Sequence, residues 1–259
     1  MCIRDSFYAE YAWAFDLLID RPVRRECGAI VSWLIERSVV PGATVLDAGC
    51  GTGRYAAELG RRGYRVEGID RSPELIDIAS QLVDDRRMAV SFRVGDLLAL
   101  PTAQYEAILC RGVLNDLVDP DARQDVFIAF AGALRPGGVL ILDVREWEAT
   151  KARKLQEPLF RKSVVTARGT LTFASYTELD PDNQQLLLSE THTLRDESGE
   201  RSTDYQFVMR CWTREELESA LVRAGFGQFA HHGAYDRSVG LGTTDRLVTV
   251  SQLCTPGIS

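Results

Sequence analysis

The sequence predicts an α/β fold: a doubly wound, mostly parallel sheet with an antiparallel β insertion before its last helix. Three observations carry that prediction. From Ala43 to Val144 short apolar runs alternate with helical segments, and strands alternating with helices form a parallel sheet with right-handed crossovers. The first run, Thr44-Val45-Leu46, ends in Asp47 and a glycine-rich turn. After Trp147 the rhythm changes to longer β-prone stretches divided by turn residues, which is the pattern of hairpins.

The N-terminal part reads as helical. From about Phe7 to Ser38, apolar and polar residues recur at helical spacing with a break at Arg21-Pro22, giving an N-terminal helical cap over residues 1–40. Arg54 to Arg62 reads as a helix stopped by Gly63. Tyr64 to Ile69 is a second strand ending in Asp70, and Ser72-Pro73-Glu74 starts the next helix with a Ser cap and Pro in its first turn. Ala89–Val94, Tyr105–Cys110 and Val139–Val144 are the third to fifth strands, with a helix over Asp121–Leu134 and a turn at Pro136-Gly137-Gly138. The β insertion, residues 163–211, takes in Val164–Ala167, Thr170–Leu179, Gln185–Leu194 and Thr203–Cys211. Thr213 then caps a helix to about Ala224, and the last two strands lead through His232 and span Arg246–Gln252. The whole of 1–259 is expected to be a single domain. The opening Met1–Ser6 has no pattern that joins it to the helical segment after it, and it reads as non-native or frayed.

Composition narrows the function. The chain has 259 residues, 45% of them hydrophobic and 26% charged, and a formal net charge of -7. Such a balance disfavours a nucleic-acid backbone as partner, because that binding rests on neutralising phosphates, and it points to a small-molecule ligand. The longest uncharged apolar stretch, Cys27–Ile35, is far too short to span a membrane. No basic-then-apolar leader opens the chain, so the cytoplasm is the expected compartment. The six cysteines lack metal-site spacing and are expected as free thiols. No metal is expected.

The segment Val45-Leu46-Asp47-Ala48-Gly49-Cys50-Gly51-Thr52-Gly53 is the principal functional signal. Glycines between a strand and a helix let backbone approach a ligand closely, and the carboxyl end of a first parallel strand is where open α/β sheets bind ligands. Gly51-Thr52-Gly53-Arg54-Tyr55-Ala56 also fits a dinucleotide fingerprint, with Asp70 at the distance of a ribose acid. Two further acids argue for another cofactor. Asp47 precedes the glycines, where a carboxylate welcomes an ammonium and repels a pyrophosphate. Asp96, in Val94-Gly95-Asp96-Leu97, ends the third strand, so that Asp47, Asp70 and Asp96 fall at one edge of three neighbouring strands. S-adenosylmethionine (SAM) has an ammonium, a ribose and an adenine, and no phosphate.

With these motifs the chain resembles the class I SAM-dependent methyltransferases over roughly Ala43 to Val144. The glycine motif, Asp70, Asp96 and the turn Arg135-Pro136-Gly137-Gly138 carry the resemblance. It implies a Rossmann-like methyltransferase fold of seven strands in the order 3-2-1-4-5-7-6, the seventh antiparallel. It further implies that Gly49, Cys50, Gly51 and Gly53 line the methionine portion of SAM. Asp70 would serve the ribose, Asp96 and Leu97 the adenine, Arg111 and Gly112 would cover the cofactor near its sulfonium, and Arg71 is a further cofactor-binding candidate. Cys110-Arg111-Gly112-Val113-Leu114-Asn115-Asp116 looks like small-molecule members. The implied reaction transfers a methyl group to nitrogen or oxygen of a small acceptor by in-line displacement.

Such a reaction depends chiefly on positioning, and a general base is useful only for a protonated acceptor. Asn115, Asp116 and His192 are the candidate catalytic residues, with turn capping or core packing as their alternative roles. His231 and His232 are further histidines for which a structural role is the commoner one. Of the leading aromatics Tyr8, Tyr11, Trp13 and Phe15, Tyr11 is the candidate cofactor or acceptor contact. Arg145, Trp147 and Tyr176 are candidates to face the acceptor pocket, and the insertion to shape it or to form a homodimer surface. The competing readings are an NAD-dependent oxidoreductase, resting on the bare glycine motif, and a non-catalytic SAM-binding protein.

Overall fold

The computed structural model describes residues 10–83 and 88–255. The expectations for Met1–Ser6, Cys2 and Tyr8 lie outside that range. A 3-10 turn at Ala12–Ala14 leads into α1 (Phe15–Leu18) and α2 (Val23–Glu36), so the chain does break at Arg21-Pro22. Next come β1 (Thr44–Ala48), α3 (Arg54–Arg61), β2 (Arg65–Asp70), α4 (Pro73–Leu82), β3 (Val90–Val94), β4 (Tyr105–Arg111), α5 (Pro120–Ala133) and β5 (Leu134–Arg145). After α6 (Trp147–Gln156) come the insertion strands β6 (Leu159–Thr166), β7 (Gly169–Asp180), β8 (Gln185–Asp196) and β9 (Gly199–Arg210). The chain then runs through α7 (Arg214–Arg223), β10 (Phe226–His232) and β11 (Arg246–Leu253).

Seven strands form one sheet in the order β10-β11-β5-β4-β1-β2-β3. β1 pairs in parallel with both β2 and β4, while β11 runs antiparallel to β5 and β10. Counting only the strands of this sheet, that is the expected order with the seventh strand reversed. Side chains alternate across the sheet, so each face has its own core. On one face Leu46, Ile69, Ile108, Leu140 and Leu142 pack against Phe127 and Phe130 of α5 and Leu217 and Leu221 of α7. On the other, Val45, Leu109, Ile141 and Val250 pack against Ile30, Trp33 and Leu34 of α2 and Leu59 of α3. Each such fully buried side chain contributes roughly 1.5–3 kcal/mol of transfer free energy.

Local chemistry sets the boundaries. Ser72 accepts from the Leu75 amide at 3.2 Å to cap α4, and Thr213 from Glu216 at 3.1 Å to cap α7. Asp119 accepts from Asp121 at 2.8 Å, so α5 starts at Pro120, one residue earlier than expected. β5 extends back to Leu134 because that residue pairs with Tyr105 ahead of the Arg135–Gly138 turn. α6 was not legible: its Trp147, Thr150 and Lys154 face inward, but only Trp147 is apolar.

The insertion is a separate four-stranded antiparallel sheet, β6-β7-β8-β9. β6 begins at Leu159, ahead of the expected Val164, because all eight of its residues from Leu159 to Thr166 pair with β7. The chain leaves and re-enters the main sheet at one place. Trp147 N–H donates to Trp212 O at 3.0 Å and Trp212 N–H to Arg145 O at 2.9 Å.

One face of this second sheet is turned inward. At one end, Leu171 and Tyr205 pack on Tyr11 and Ala14 of the N-terminal segment. At the other, Leu186, Leu188 and Met209 pack on Trp147 of α6.

Candidate functional site

The carboxyl edge of β1, β2 and β4 gathers the residues singled out in the sequence. Asp47 is buried on β1 opposite Gly68 of β2 and Leu109 of β4. Burial pushes its carboxyl up to about 7, against the opposing pull of the Arg111 charge and the Ala56 amide at the start of α3. Its Oδ2 has no hydrogen-bond partner among the described residues. A buried carboxylate oxygen left unpaired costs more than an ordinary hydrogen bond returns, so the position is one where a cationic ligand group would be stabilised.

The glycine turn after β1 is built for close approach. Gly49, Gly51 and Gly53 have φ of +75°, +55° and +76°, a region costly for other residues. A Cβ on Gly49 would stand 2.2 Å from Val113 Cγ2, and one on Gly53 would sit within 2.8 Å of Phe92 and Ala79. Those two glycines are therefore forced by packing. Gly51 is different: its nearest neighbour would be Phe15 Cε1 at 3.7 Å, so its missing side chain leaves room. Gly112, at the end of β4 with φ +69°, has nothing within 4 Å.

Asp70 ends β2 with one oxygen accepting from Gly51 N–H at 2.8 Å and the other from Ser72 N–H at 3.0 Å. Burial raises its pKa against these amides and that of Arg71. Asp96 stands two residues beyond Val94, which pairs with Asp70, and Gly95 N–H donates to Asp70 O at 2.9 Å. Asp96 is exposed and caps the short turn at Leu97–Ala99 by accepting from Leu98 N–H at 2.9 Å. Leu97 is buried behind it, Arg71 is exposed, and Cys50 is buried with its thiol pushed up by burial. The acids thus occupy one rim of adjacent strands.

The N-terminal segment lies over the turn. Thr52 Oγ1 donates to both carboxylate oxygens of Asp16, at 2.8 and 2.9 Å, and Arg54 pairs with Asp16 at 2.9 Å. Asp16 and Phe15 carried no sequence signal as site neighbours. Tyr11 is buried against the insertion, its ring centroid 5.0 Å from that of His192 and 6.4 Å from that of Tyr205. The N-terminal segment therefore bridges the glycine turn and the insertion.

Arg111 departs from expectation. Its guanidinium does not project over the rim but turns into the core under α2. There it donates to Glu26 at 2.6 Å and lies 3.5 Å from the Tyr55 ring centroid and 4.7 Å from that of Tyr235. Asp143, 3.8 Å away, accepts from Gly112 N–H and from Arg246. Burial alone would lower the Arg111 pKa, but these anionic and phenolic neighbours raise it. Only the backbone of Arg111 and Gly112 is left at the rim. The sequence held one clue to this cluster: Asp143 follows the apolar run Val139–Leu142 as Asp47 follows Val45-Leu46.

The candidate catalytic residues separate. Asn115 is buried and accepts from Arg145 N–H at 2.9 Å, holding β4's exit to β5. Asp116 is exposed in the same short turn. His192 is fully buried between the rings of Tyr11, Phe173 and Tyr205, 3.4 Å from Glu190. His231 bonds Thr249 at 3.0 Å and Glu218 at 2.7 Å, and His232 stacks on Trp33. Arg145 pairs with Asp245 at 2.6 Å, Trp147 packs under the insertion, and Tyr176 points outward on the insertion's exposed face. Tyr176 therefore does not face a pocket, because inward residues of β7 are the odd-numbered ones.

The strand order and crossover helices are those of the Rossmann-like methyltransferase fold. Residues 45–138 match the family model described as methyltransferase domain. It is 35% identical over 115 residues to a ubiquinone biosynthesis O-methyltransferase from Xanthomonas campestris pv. campestris, covering 43% of this chain and 47% of that protein. A protein of the same name from Xylella fastidiosa is 37% identical over 115 residues, with 43% and 46% covered. The chain thus matches about half the length of these curated relatives. Among solved structures, a SAM-dependent methyltransferase from Clostridium acetobutylicum superposes with TM-score 0.78 at 19% identity, covering 95% of this chain and 99% of that one. Streptomyces venezuelae DesVI superposes with TM-score 0.75 at 18% identity over 96% and 99%. The sugar N-methyltransferase KedS8 from Streptoalloteichus does so with 0.75 at 21% over 93% of each. Among the described residues no helix is long and apolar enough to cross a membrane.

Proposed function

We propose that this chain transfers a methyl group from SAM to a nitrogen or oxygen of a small-molecule acceptor. The observation that carries the reading is the unpartnered Oδ2 of buried Asp47, on the strand that runs into the glycine turn, together with the open space at Gly112. Donor chemistry and shape both suit SAM: Asp47 would take its ammonium, Asp70 its ribose hydroxyls, and Asp96 with Leu97 its adenine. A dinucleotide fits poorly, since its pyrophosphate would meet Asp47 and Asp70 at the turn. SAM supplies an electrophilic methyl on a sulfonium leaving group. The chain's own task is to hold the acceptor in line and keep water out. The backbone of Gly112 borders that space, Asn115 fixes the turn behind it, and the N-terminal segment and insertion close the sides. The O-methyltransferase relatives and the sugar N-methyltransferase structure support a small acceptor, with the cytoplasm as the setting.

Calorimetric titration with S-adenosylhomocysteine tests this directly. Binding by the native chain and its loss in Asp47→Ala are expected. Stabilisation by NAD with indifference to S-adenosylhomocysteine would overturn it.

A further inference from the structure

The inward face of the insertion sheet has two apolar ends and a polar middle. Between the patch on Tyr11 and the patch on Trp147 lie the buried Ser175 and Thr177 of β7, with Glu190 and His192 of β8. β9 borders the Leu114–Asp116 turn at the end of β4, which brings the insertion sheet to that strand end. From the other side comes Lys154. It shares the inward face of α6 with Trp147 and Thr150, is 8% exposed, and α6 packs on β7.

Two polar groups here lack partners. Among the described residues no hydrogen bond or ion pair within 4.0 Å involves the Lys154 ammonium, and burial lowers its pKa. Thr177 Oγ1 is buried without a hydrogen-bond partner, although its own N–H donates to Pro158 O at 3.0 Å. The surrounding charge is in excess of cations. Lys154 is in electrostatic reach of Arg145, Arg153, Asp245 and Glu190. Asp245 is already shared by Arg145 at 2.6 Å and Arg153 at 2.5 Å, and Glu190 lies against His192. A largely buried ammonium and a fully buried hydroxyl, neither with a hydrogen-bond partner, are costly and complementary to one kind of group.

We propose that Lys154 and Thr177 hold an anionic oxygen group of the acceptor, a carboxylate or a phosphate ester. The assignment rests on the methyltransferase reading and adds to it the charge of the substrate. Lys154 supplies the counter-charge and Thr177 a hydrogen bond, and both lie away from the rim where the acceptor's nucleophilic atom must stand. The acceptor therefore has its anionic group at one end and its methylated atom at the other.

Calorimetry on the full chain saturated with S-adenosylhomocysteine tests the site, with benzoate, phenyl phosphate and benzamide as probes. One anion at least is expected to bind about tenfold or more tighter than benzamide, as a hydrogen-bonded charge contact implies. The order of benzoate and phenyl phosphate tells carboxylate from phosphate. Lys154→Met should weaken the favoured anion about tenfold, Lys154→Arg less, and Thr177→Val a few-fold, all with unaltered affinity for S-adenosylhomocysteine. Because Thr177→Val preserves volume, it keeps the test valid should Lys154→Met fail to fold. Benzamide binding as well as the anions, no anion binding at millimolar concentration, or variants that bind like the native chain would overturn the proposal. If the native chain does not bind S-adenosylhomocysteine at all, the methyltransferase reading fails and takes this site with it.

Discussion

Arg111, at the end of β4, donates to Glu26 of α2 at 2.6 Å, and both side chains are about nine-tenths buried. Tyr55 O–H donates to the same Glu26 oxygen at 2.5 Å. One carboxylate thus ties the N-terminal helix to the strand end and to the helix after the glycine turn.

Removing one member of a buried ion pair leaves the other uncompensated. Glu26→Ala is therefore expected to cost about 3 kcal/mol in urea denaturation. A loss below about 1 kcal/mol would show that Asp143 and the two tyrosines suffice for Arg111.

Gly49→Ala forces a Cβ against Val113 at a φ of +75°. A destabilisation of roughly 2–4 kcal/mol is expected from strain and overpacking. Gly112→Ala has the same backbone strain without the collision, so its cost should be about 1 kcal/mol. Equal thermal shifts for the two would contradict the distinction drawn between packing and conformation.

The Asp47 carboxyl, raised from 3.8 to about 7, gives a pH dependence of definite sign. A group whose folded pKa lies above its unfolded value loses stability as pH rises between the two, and the loss is complete above the folded value. The unliganded Asp47→Asn variant should accordingly exceed the native chain in stability at about pH 8, and the difference should shrink toward about pH 4. Affinity of the native chain for S-adenosylhomocysteine should climb between about pH 6 and 8 as Asp47 ionises. A flat profile would remove Asp47 from contact with the ammonium.

Cys27, Cys50, Cys110 and Cys211 are buried, and Cys254 is exposed. Burial pushes the Cys27 thiol up to about 12 and Cys211 to about 11. Since the thiolate is the nucleophile, these four should resist a thiol reagent until the chain unfolds, while Cys254 reacts at once. Fast labelling of Cys50 in Cys254→Ser would mean that the glycine turn opens freely.

Much of this molecule was readable in its residues, for physical reasons. Strand-helix alternation, the glycine turn and the strand-end acids are local patterns, so a parallel sheet with an acidic rim could be inferred from them, while the strand order came from the family resemblance those motifs carry. The remainder depends on long-range packing. Arg111 looked like a rim residue because it comes after a strand, yet strand parity turns its side chain toward Glu26, 85 residues earlier. α6 was hidden because its inward face includes Thr150 and Lys154, which count as polar in any periodicity. Tyr176 was misplaced by the same parity on β7. Asp16 became a neighbour of Thr52 only through the return of the N-terminal segment over the turn.

The backbone bonds joining Arg145 and Trp147 to Trp212 bring the two ends of the insertion side by side. Along the chain, everything between them joins the main sheet at that one place, and its strands form a sheet of their own. Lengthening, shortening or exchanging that module leaves the strand pairing of the main sheet intact. Evolution or an engineer can therefore refit that module while the main sheet stays as it is.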